Sequence, residues 1–303
     1  MIKKLALLLW YSCNNNCRFC YCADKRGKWE MSAEQAKTEL ELGRKRGCSF
    51  VDFNGGEPSL RNDIFSLVSY AKKLGYKTIA LTTNGRMFYY RDFCRRLVDS
   101  GLNHVVFSIH GHNAGLHDYL TRSQGSYLQV TTGMKNIRAV KPDIYICTNT
   151  TITRLNYKFL PQIAENNIKL GANGCEFIFV HPRGNALKDF DRIVPTLTEI
   201  LPYVQKTLDV GKKHKISHFA MRYLPVCYML PSLNNLSEYK ARKTLREQHV
   251  GPEFKDLNVE KGRALVGRVK GPQCESCKHN EICEGVFKEY AERRGIDELI
   301  PVG

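Results

Sequence analysis

The chain has 303 residues, 12 of them cysteine, and carries 46 Lys and Arg against 30 Asp and Glu, a net charge of +16. That length buries a large core with room for one big domain and an appendage, and no apolar run reaches the roughly 20 residues of a membrane helix. So many cysteines point to a cytoplasmic protein, where thiols stay reduced and serve metals or catalysis in preference to disulfides. Two lysines before a leucine run in residues 1–10 imitate a secretory signal, but Trp10 and Tyr11 make a poor cleavage site, and the run reads as a buried first strand.

That run, residues 4–11, is followed at once by Cys13, Cys17 and Cys20, spaced C-x3-C-x2-C. Three thiolates can hold three irons of a [4Fe–4S] cluster and leave the fourth open to a small molecule that takes an electron. A helix is expected over 33–46, then a strand over 50–53 that runs into Asn54, Gly55, Gly56, Glu57 and Pro58 and a helix over 63–74. A turn at the carboxyl end of a strand lies on the ligand-binding edge of an α/β sheet. Its two glycines allow close backbone approach, and its glutamate offers an acceptor for an ammonium group.

Further strands end at 81–85, 105–111, 145–150 and 175–180, separated by apolar positions at three- and four-residue spacing, as over 92–98 and 159–170. A helix between successive strands forces parallel pairing with right-handed crossovers. Beyond them, 193–213 reads as a helix that Pro202 would kink. Residues 233–271 are polar, with 237–247 the best helix among them, and 286–294 has helical periodicity and is expected to dock on the barrel.

The pairing of C-x3-C-x2-C with Gly55, Gly56, Glu57 and Pro58 resembles the radical S-adenosylmethionine (SAM) enzymes. The resemblance covers residues 5–186 densely. It implies a partial (β/α)6 TIM-like barrel over residues 1–214, followed by a small cysteine-rich extension over 215–303. It also implies that the cluster held by Cys13, Cys17 and Cys20 binds SAM and reductively cleaves it. The resulting 5′-deoxyadenosyl radical abstracts hydrogen from a substrate. Gly55, Gly56 and Glu57 would hold the SAM amino group, Phe19 would lie near the adenine, and Ser108 and Asn149 would contact ribose and carboxylate. His110 is either a hydrogen-bond donor or proton shuttle, and so the candidate catalytic residue, or a satisfied residue of the barrel rim. Arg183 and Asn185 follow the sixth strand and could contact the SAM carboxylate or ribose, though the sequence alone does not place them, and His112 and His117 are expected to be loop structure.

The remaining cysteines divide in two. Cys22, Cys48, Cys94, Cys147 and Cys175 stand singly and read as packing thiols. Cys274, Cys277 and Cys283 form C-x2-C-x5-C, which looks like the auxiliary-cluster segment of radical SAM enzymes with a SPASM or shorter Twitch extension. Phe287 stands where a full SPASM domain has another cysteine, so one auxiliary [4Fe–4S] cluster is expected, with Cys227 as its fourth ligand. A four-thiolate structural zinc site is the alternative.

Auxiliary clusters of this kind imply a peptide or protein substrate, modified by crosslinking or epimerisation. The barrel begins almost at Met1, which leaves no room for a leader-recognition domain. A small-molecule or RNA substrate is the second reading, and a non-catalytic metal-binding scaffold the third. The basic charge suits an acidic peptide, or an electron donor such as flavodoxin or ferredoxin, as well as nucleic acid. Aromatic-rich nucleic-acid signatures are missing, so a solvated basic surface is favoured over an RNA-binding one.

Overall fold

Strands and helices alternate from the first residues because the apolar positions switch between a period of two and one of 3.6 along the chain. The computed structural model describes residues 1–303. It opens with β1 (Ile2–Leu8), α1 (Ala33–Lys45), β2 (Phe50–Asn54), α2 (Ile64–Lys73), β3 (Thr78–Thr83), α3 (Arg91–Ser100), β4 (His104–Ser108), α4 (Ala114–Thr121) and α5 (Ser126–Val140). Next come β5 (Tyr145–Ile152), α6 (Leu160–Lys169), β6 (Gly174–Phe179), the one-turn helices α7 (Asn185–Lys188) and α8 (Phe190–Ile193), α9 (Leu197–Lys213) and β7 (His218–Arg222). The chain ends through α10 (Ser237–Thr244), β8 (Leu245–Val250), β9 (Lys255–Asp256), α11 (Val259–Gly262), β10 (Arg268–Val269), β11 (Val286–Phe287) and α12 (Lys288–Arg294).

One sheet runs in the order β7-β6-β5-β4-β3-β2-β1-β8-β9. Every pairing from β7 to β8 is parallel, and β9 turns back antiparallel on β8. The sheet is a curled half-barrel, the partial TIM-like fold expected, with β1–β6 following one another in space as in sequence. Helix starts are set locally. At α1 and α9 a hydroxyl cap (Ser32, Thr196) and the third helical residue (Gln35, Glu199) exchange hydrogen bonds reciprocally. Pro202 is accommodated inside α9, which continues to Lys213.

None of the strands from β7 onward was expected. β7 follows α9, and β8 begins at Leu245, two residues before the end of the helix anticipated over 237–247. β8 lies along β1 in register Ile2↔Leu245 to Leu7↔Val250, satisfying backbone groups that would otherwise form an open edge. That tertiary gain overrides the helical propensity of Arg246 and Glu247. The boundary anticipated near residue 214 falls between α9 and β7, so the sheet draws strands from both sides of it.

Charges occupy the half-barrel interior. Lys4 pairs with Asp52 at 3.0 Å and with Glu247 at 3.3 Å, and Arg222 pairs with Glu247 at 2.9 Å. Burial alone would raise the Glu247 carboxyl, but Arg222 and Lys4 hold it well below the ordinary range.

The tail docks on the barrel. Val286, Phe287, Tyr290 and Leu299 belong to the same apolar cluster as the strands. α12 begins two residues later than anticipated, because Val286 and Phe287 pair antiparallel with β10. No helix is long and apolar enough to cross a membrane.

Candidate active site

The cysteine loop after β1 is clamped from several elements. From the turn after β2, the Gly56 N–H donates to Trp10 O at 2.7 Å and the Glu57 N–H to Ser12 O at 2.8 Å. The end of α4 accepts from the Asn16 and Arg18 N–H groups at 3.0 and 2.9 Å. Beyond β6, Asn185 donates its backbone N–H to Cys20 O at 2.9 Å and its side-chain amide to Cys17 O at 2.8 Å. Asn84, after β3, reaches Asn14 Oδ1 at 2.7 Å and lies 3.7 Å from Cys13 Sγ. The three thiols are thereby held at the carboxyl edge of the sheet.

Burial pushes the Cys13 thiol up to about 11 and raises Cys17 as well. Cys20 is drawn down to about 6, first by its hydrogen bond with Cys22, against burial, and then by the Arg26 guanidinium. Cys22 itself is buried, with Sγ 3.7 Å from that of Cys20. Arg26 is a residue sequence reasoning missed: a lone arginine after the motif carries no pattern, yet its charge faces all three cysteines. A cation beside three thiols favours their ligating, deprotonated form.

The turn of Gly55, Gly56 and Glu57 packs against the cysteine loop. A Cβ on Gly56 would lie 2.2 Å from Ser12 O, and one on Gly55, where φ is +124°, would lie 2.3 Å from Trp10 O. The glycines therefore admit the protein's own cysteine loop. Glu57 is fully buried. Its Oε1 accepts from the Ser59 N–H (3.0 Å), Ser59 Oγ (2.5 Å) and Thr83 Oγ1 (2.7 Å), and its Oε2 accepts from the Asn84 N–H (2.6 Å). Burial raises its pKa against the pull of these donors. Its carboxylate ties β2 to β3, with three donors on Oε1 and one on Oε2.

Ser108 and Asn149 are register partners on β4 and β5, so both side chains leave the same face of the sheet. Asn149 Oδ1 is buried with no hydrogen-bond partner. An orphan acceptor at this edge suits a ligand hydroxyl or ammonium donor. Phe19 packs edge-on against His110, ring centroids 4.6 Å apart. His110 Nδ1 accepts from the Thr151 N–H at 3.2 Å, which assigns its proton to Nε2. Burial, and then His117 beside it, push its pKa well below the ordinary value, so it is a neutral imidazole. His117 is not loop structure: it is buried on α4, and its Nδ1 accepts from the His110 N–H at 3.2 Å. Arg183 turns toward the tail and pairs with Glu289 of α12.

Cys227, Cys274, Cys277 and Cys283 line a single small cavity, partly open to solvent. Backbone N–H groups point at their sulfurs: Val226 and Gly285 at Cys283 (3.5 and 3.4 Å), and Val302 at Cys277 (3.4 Å). Such donors stabilise thiolates that bind metal. Cys48, Cys94, Cys147 and Cys175 are buried singly. No three His, Cys, Asp or Glu side chains converge at single-ion distance. Between the two cysteine sets, His181 stacks on Phe287 at 4.1 Å and on Tyr21 at 6.0 Å.

Residues 7–165 match the family model of the Radical SAM superfamily. The chain is 29% identical over 227 residues to a probable GTP 3′,8-cyclase of Saccharolobus solfataricus, spanning 74% of this chain and 71% of that protein. It is 30% identical over 184 residues to a PqqA peptide cyclase of Rhodopseudomonas palustris, spanning 59% of this chain and 48% of that one. Among solved structures, Streptococcus suis SuiB bound to its precursor peptide SuiA superposes on 99% of this chain and 75% of its own, with a TM-score of 0.71 and 16% identity. anSMEcpe with bound AdoMet superposes on 99% of this chain and 92% of its own, with a TM-score of 0.66 and 13% identity.

Proposed function

The chain belongs to the radical SAM superfamily, and from that membership we propose that it modifies a peptide, using Cys13, Cys17 and Cys20 to hold the SAM-binding cluster. When bound, a [4Fe–4S] cluster supplies the electron that cleaves SAM to a 5′-deoxyadenosyl radical, the species that takes hydrogen from substrate. The observation that carries the assignment of these three cysteines is their loop, clamped at the sheet's carboxyl edge beside the unpartnered Asn149 Oδ1. The protein's own part is orientation. Asn185 and Asn84 fix the loop, Phe19 and His110 close one wall, and Asn149 accepts a donor from the nucleoside. His110 holds its proton at Nε2 as a neutral donor. The buried surroundings exclude water from a reactive radical.

Cys227, Cys274, Cys277 and Cys283 would hold a single auxiliary cluster. Their shared cavity supports this reading over zinc, which needs its four sulfurs about 2.3 Å from one point. The likeness to a peptide cyclase supports a peptide substrate. The likeness to GTP 3′,8-cyclases, over a longer span, supports a nucleotide as the second reading. The net charge of +16 suits an acidic electron donor such as a flavodoxin or ferredoxin. Twelve free cysteines suit a reducing, cytoplasmic setting.

The test is iron, sulfide and zinc per chain after anaerobic reconstitution, with 5′-deoxyadenosine measured on the same sample in the presence of candidate peptides or GTP. About eight irons and peptide-stimulated cleavage are expected. About four irons plus one zinc would make the tail structural, and stimulation by GTP alone would overturn the peptide assignment.

A further inference from the structure

β8 and β9 bring the far half of the chain onto the cysteine loop. They are joined by a tight turn in which the Gly251 N–H donates to Phe254 O at 2.9 Å. The turn sets Phe254 against a small apolar cluster of Leu8, Tyr11 and Cys22, separate from the main core. Glu253, its neighbour, holds both flanks of the cysteine segment. Its two oxygens accept from the Tyr11 hydroxyl at 2.7 and 3.0 Å, two residues before Cys13. Lys25 Nζ donates to the same Oε1 at 2.7 Å, five residues after Cys20. The Lys25 ammonium also lies 5.2 Å from the Tyr11 ring centroid and 5.9 Å from that of Phe254. Its backbone N–H donates to Cys22 O at 3.1 Å, and Cys22 Sγ stands 3.7 Å from Cys20 Sγ.

Tyr11 is only 1% exposed, and a Cβ on Gly56 would meet its carbonyl carbon at 2.5 Å. It is therefore held between the glycine turn after β2 and the hairpin of β8 and β9. Gathering three thiols costs conformational entropy, and a loop already fixed at both flanks by one carboxylate has less left to lose. We propose that Glu253 is a positioning residue for the SAM-binding cluster: it ties the β8–β9 hairpin to Tyr11 and Lys25 and holds the loop between them ready for iron. This rests on the assignment of Cys13, Cys17 and Cys20 above and is independent of whether the substrate is a peptide or a nucleotide.

The test uses the full chain in two states. In the cluster-free protein the alkylation rate of Cys22, 4% exposed, is followed by mass spectrometry, with the fully buried Cys94 of α3 as internal standard. E253A should raise Cys22 alkylation about 10- to 100-fold at an unchanged Cys94 rate, the size of hydrogen bonds to a charged group. Y11F combined with E253A should raise it no further than E253A alone, because the two changes remove the same bond. K25M leaves the tyrosine bond in place and should raise it about 2- to 5-fold, which keeps the test decisive where E253A fails to fold. In the reconstituted, reduced protein the change that SAM induces in the electron paramagnetic resonance signal reports the loop's own cluster. That change should weaken in E253A and persist in E253Q, whose amide oxygen still accepts from Tyr11. Alkylation and resonance equal to wild type in both E253A and K25M overturn the proposal. So does a rise in alkylation shared by Cys94, which marks a general loss of stability. Wild-type iron content in C17A overturns the cluster assignment, and the role of Glu253 with it, whatever the alkylation rates.

Discussion

Gly56→Ala tests whether the glycine turn exists to seat the cysteine loop. The added Cβ would stand 2.2 Å from Ser12 O, 2.5 Å from Tyr11 C and 2.7 Å from Tyr11 O, all of them backbone atoms that cannot swing aside. Ordinary contact begins at 3.4 Å, so the loop must retreat by about 1 Å. Overpacking of this kind costs about 1–3 kcal/mol. Retreat also strains the bonds from the Gly56 N–H to Trp10 O and the Glu57 N–H to Ser12 O, each worth about 0.5–1.5 kcal/mol. The sum is about 2–6 kcal/mol, and at about 2–4 °C per kcal/mol the melting temperature should fall by roughly 4–24 °C. A displacement of about 1 Å at a reacting centre can cost on the order of a hundredfold in rate, so 5′-deoxyadenosine formation should fall more steeply than stability. Melting and iron content would be compared with Gly267→Ala, where a Cβ meets nothing within 4 Å and φ is not positive. A Gly56→Ala protein with wild-type melting, iron content and cleavage would refute this account of the turn.

Cys17→Ala should abolish SAM cleavage, whereas Cys277→Ala should leave uncoupled cleavage and stop substrate turnover; full product from a folded Cys277→Ala protein would sink the role of the tail cysteines. Asn185→Ala removes the side-chain bond to Cys17 O and should cost about 1 kcal/mol in urea unfolding with a loss of cluster iron, read by iron analysis after gel filtration. Burial pushes His104, His117 and His181 down to about 4. These depressed values mean that the unfolded chain takes up protons first as pH falls below about 6.5, so the stability is full above that pH and is lost toward pH 4, with roughly 3 kcal/mol at stake per histidine. Unfolding midpoints measured between pH 7 and pH 4 should fall accordingly, and a flat profile would contradict the burial of neutral imidazoles.

The half-barrel was legible because β1–β6 are short apolar runs followed by turn residues and by helices with a clear apolar stripe. β8 was not legible. Leu245, Arg246, Glu247, Gln248 and His249 carry a strand whose polar side chains serve the interior, with Glu247 between Lys4 and Arg222. Read locally, such a segment is helix-forming; only the exposed edge of β1 makes it a strand. β7 is shorter still, and its half-buried Arg222 lies among Glu176, Glu238 and Glu247. Charges that a linear reading assigns to solvent are paired inside.

The same distinction separates the site residues that spacing could find from those it could not. Cysteines at fixed intervals are legible because their chemistry depends on which residues they are. The roles of Glu57 and Asn185 depend instead on what the fold brings to them. Glu57 carries the most conspicuous acidic side chain of the turn, yet it is spent on Ser59, Thr83 and Asn84, and Asn185 spends its amide on the carbonyl of Cys17. Asn185 thereby holds the loop that carries the cysteines, and Glu57 reaches that loop through its backbone N–H to Ser12 O. Among the buried polar atoms that the fold leaves without a hydrogen-bond partner, Asn149 Oδ1 lies on the face it shares with Ser108. A buried polar atom that the protein does not satisfy is costly in the free state, and the binding of a matching group removes that cost.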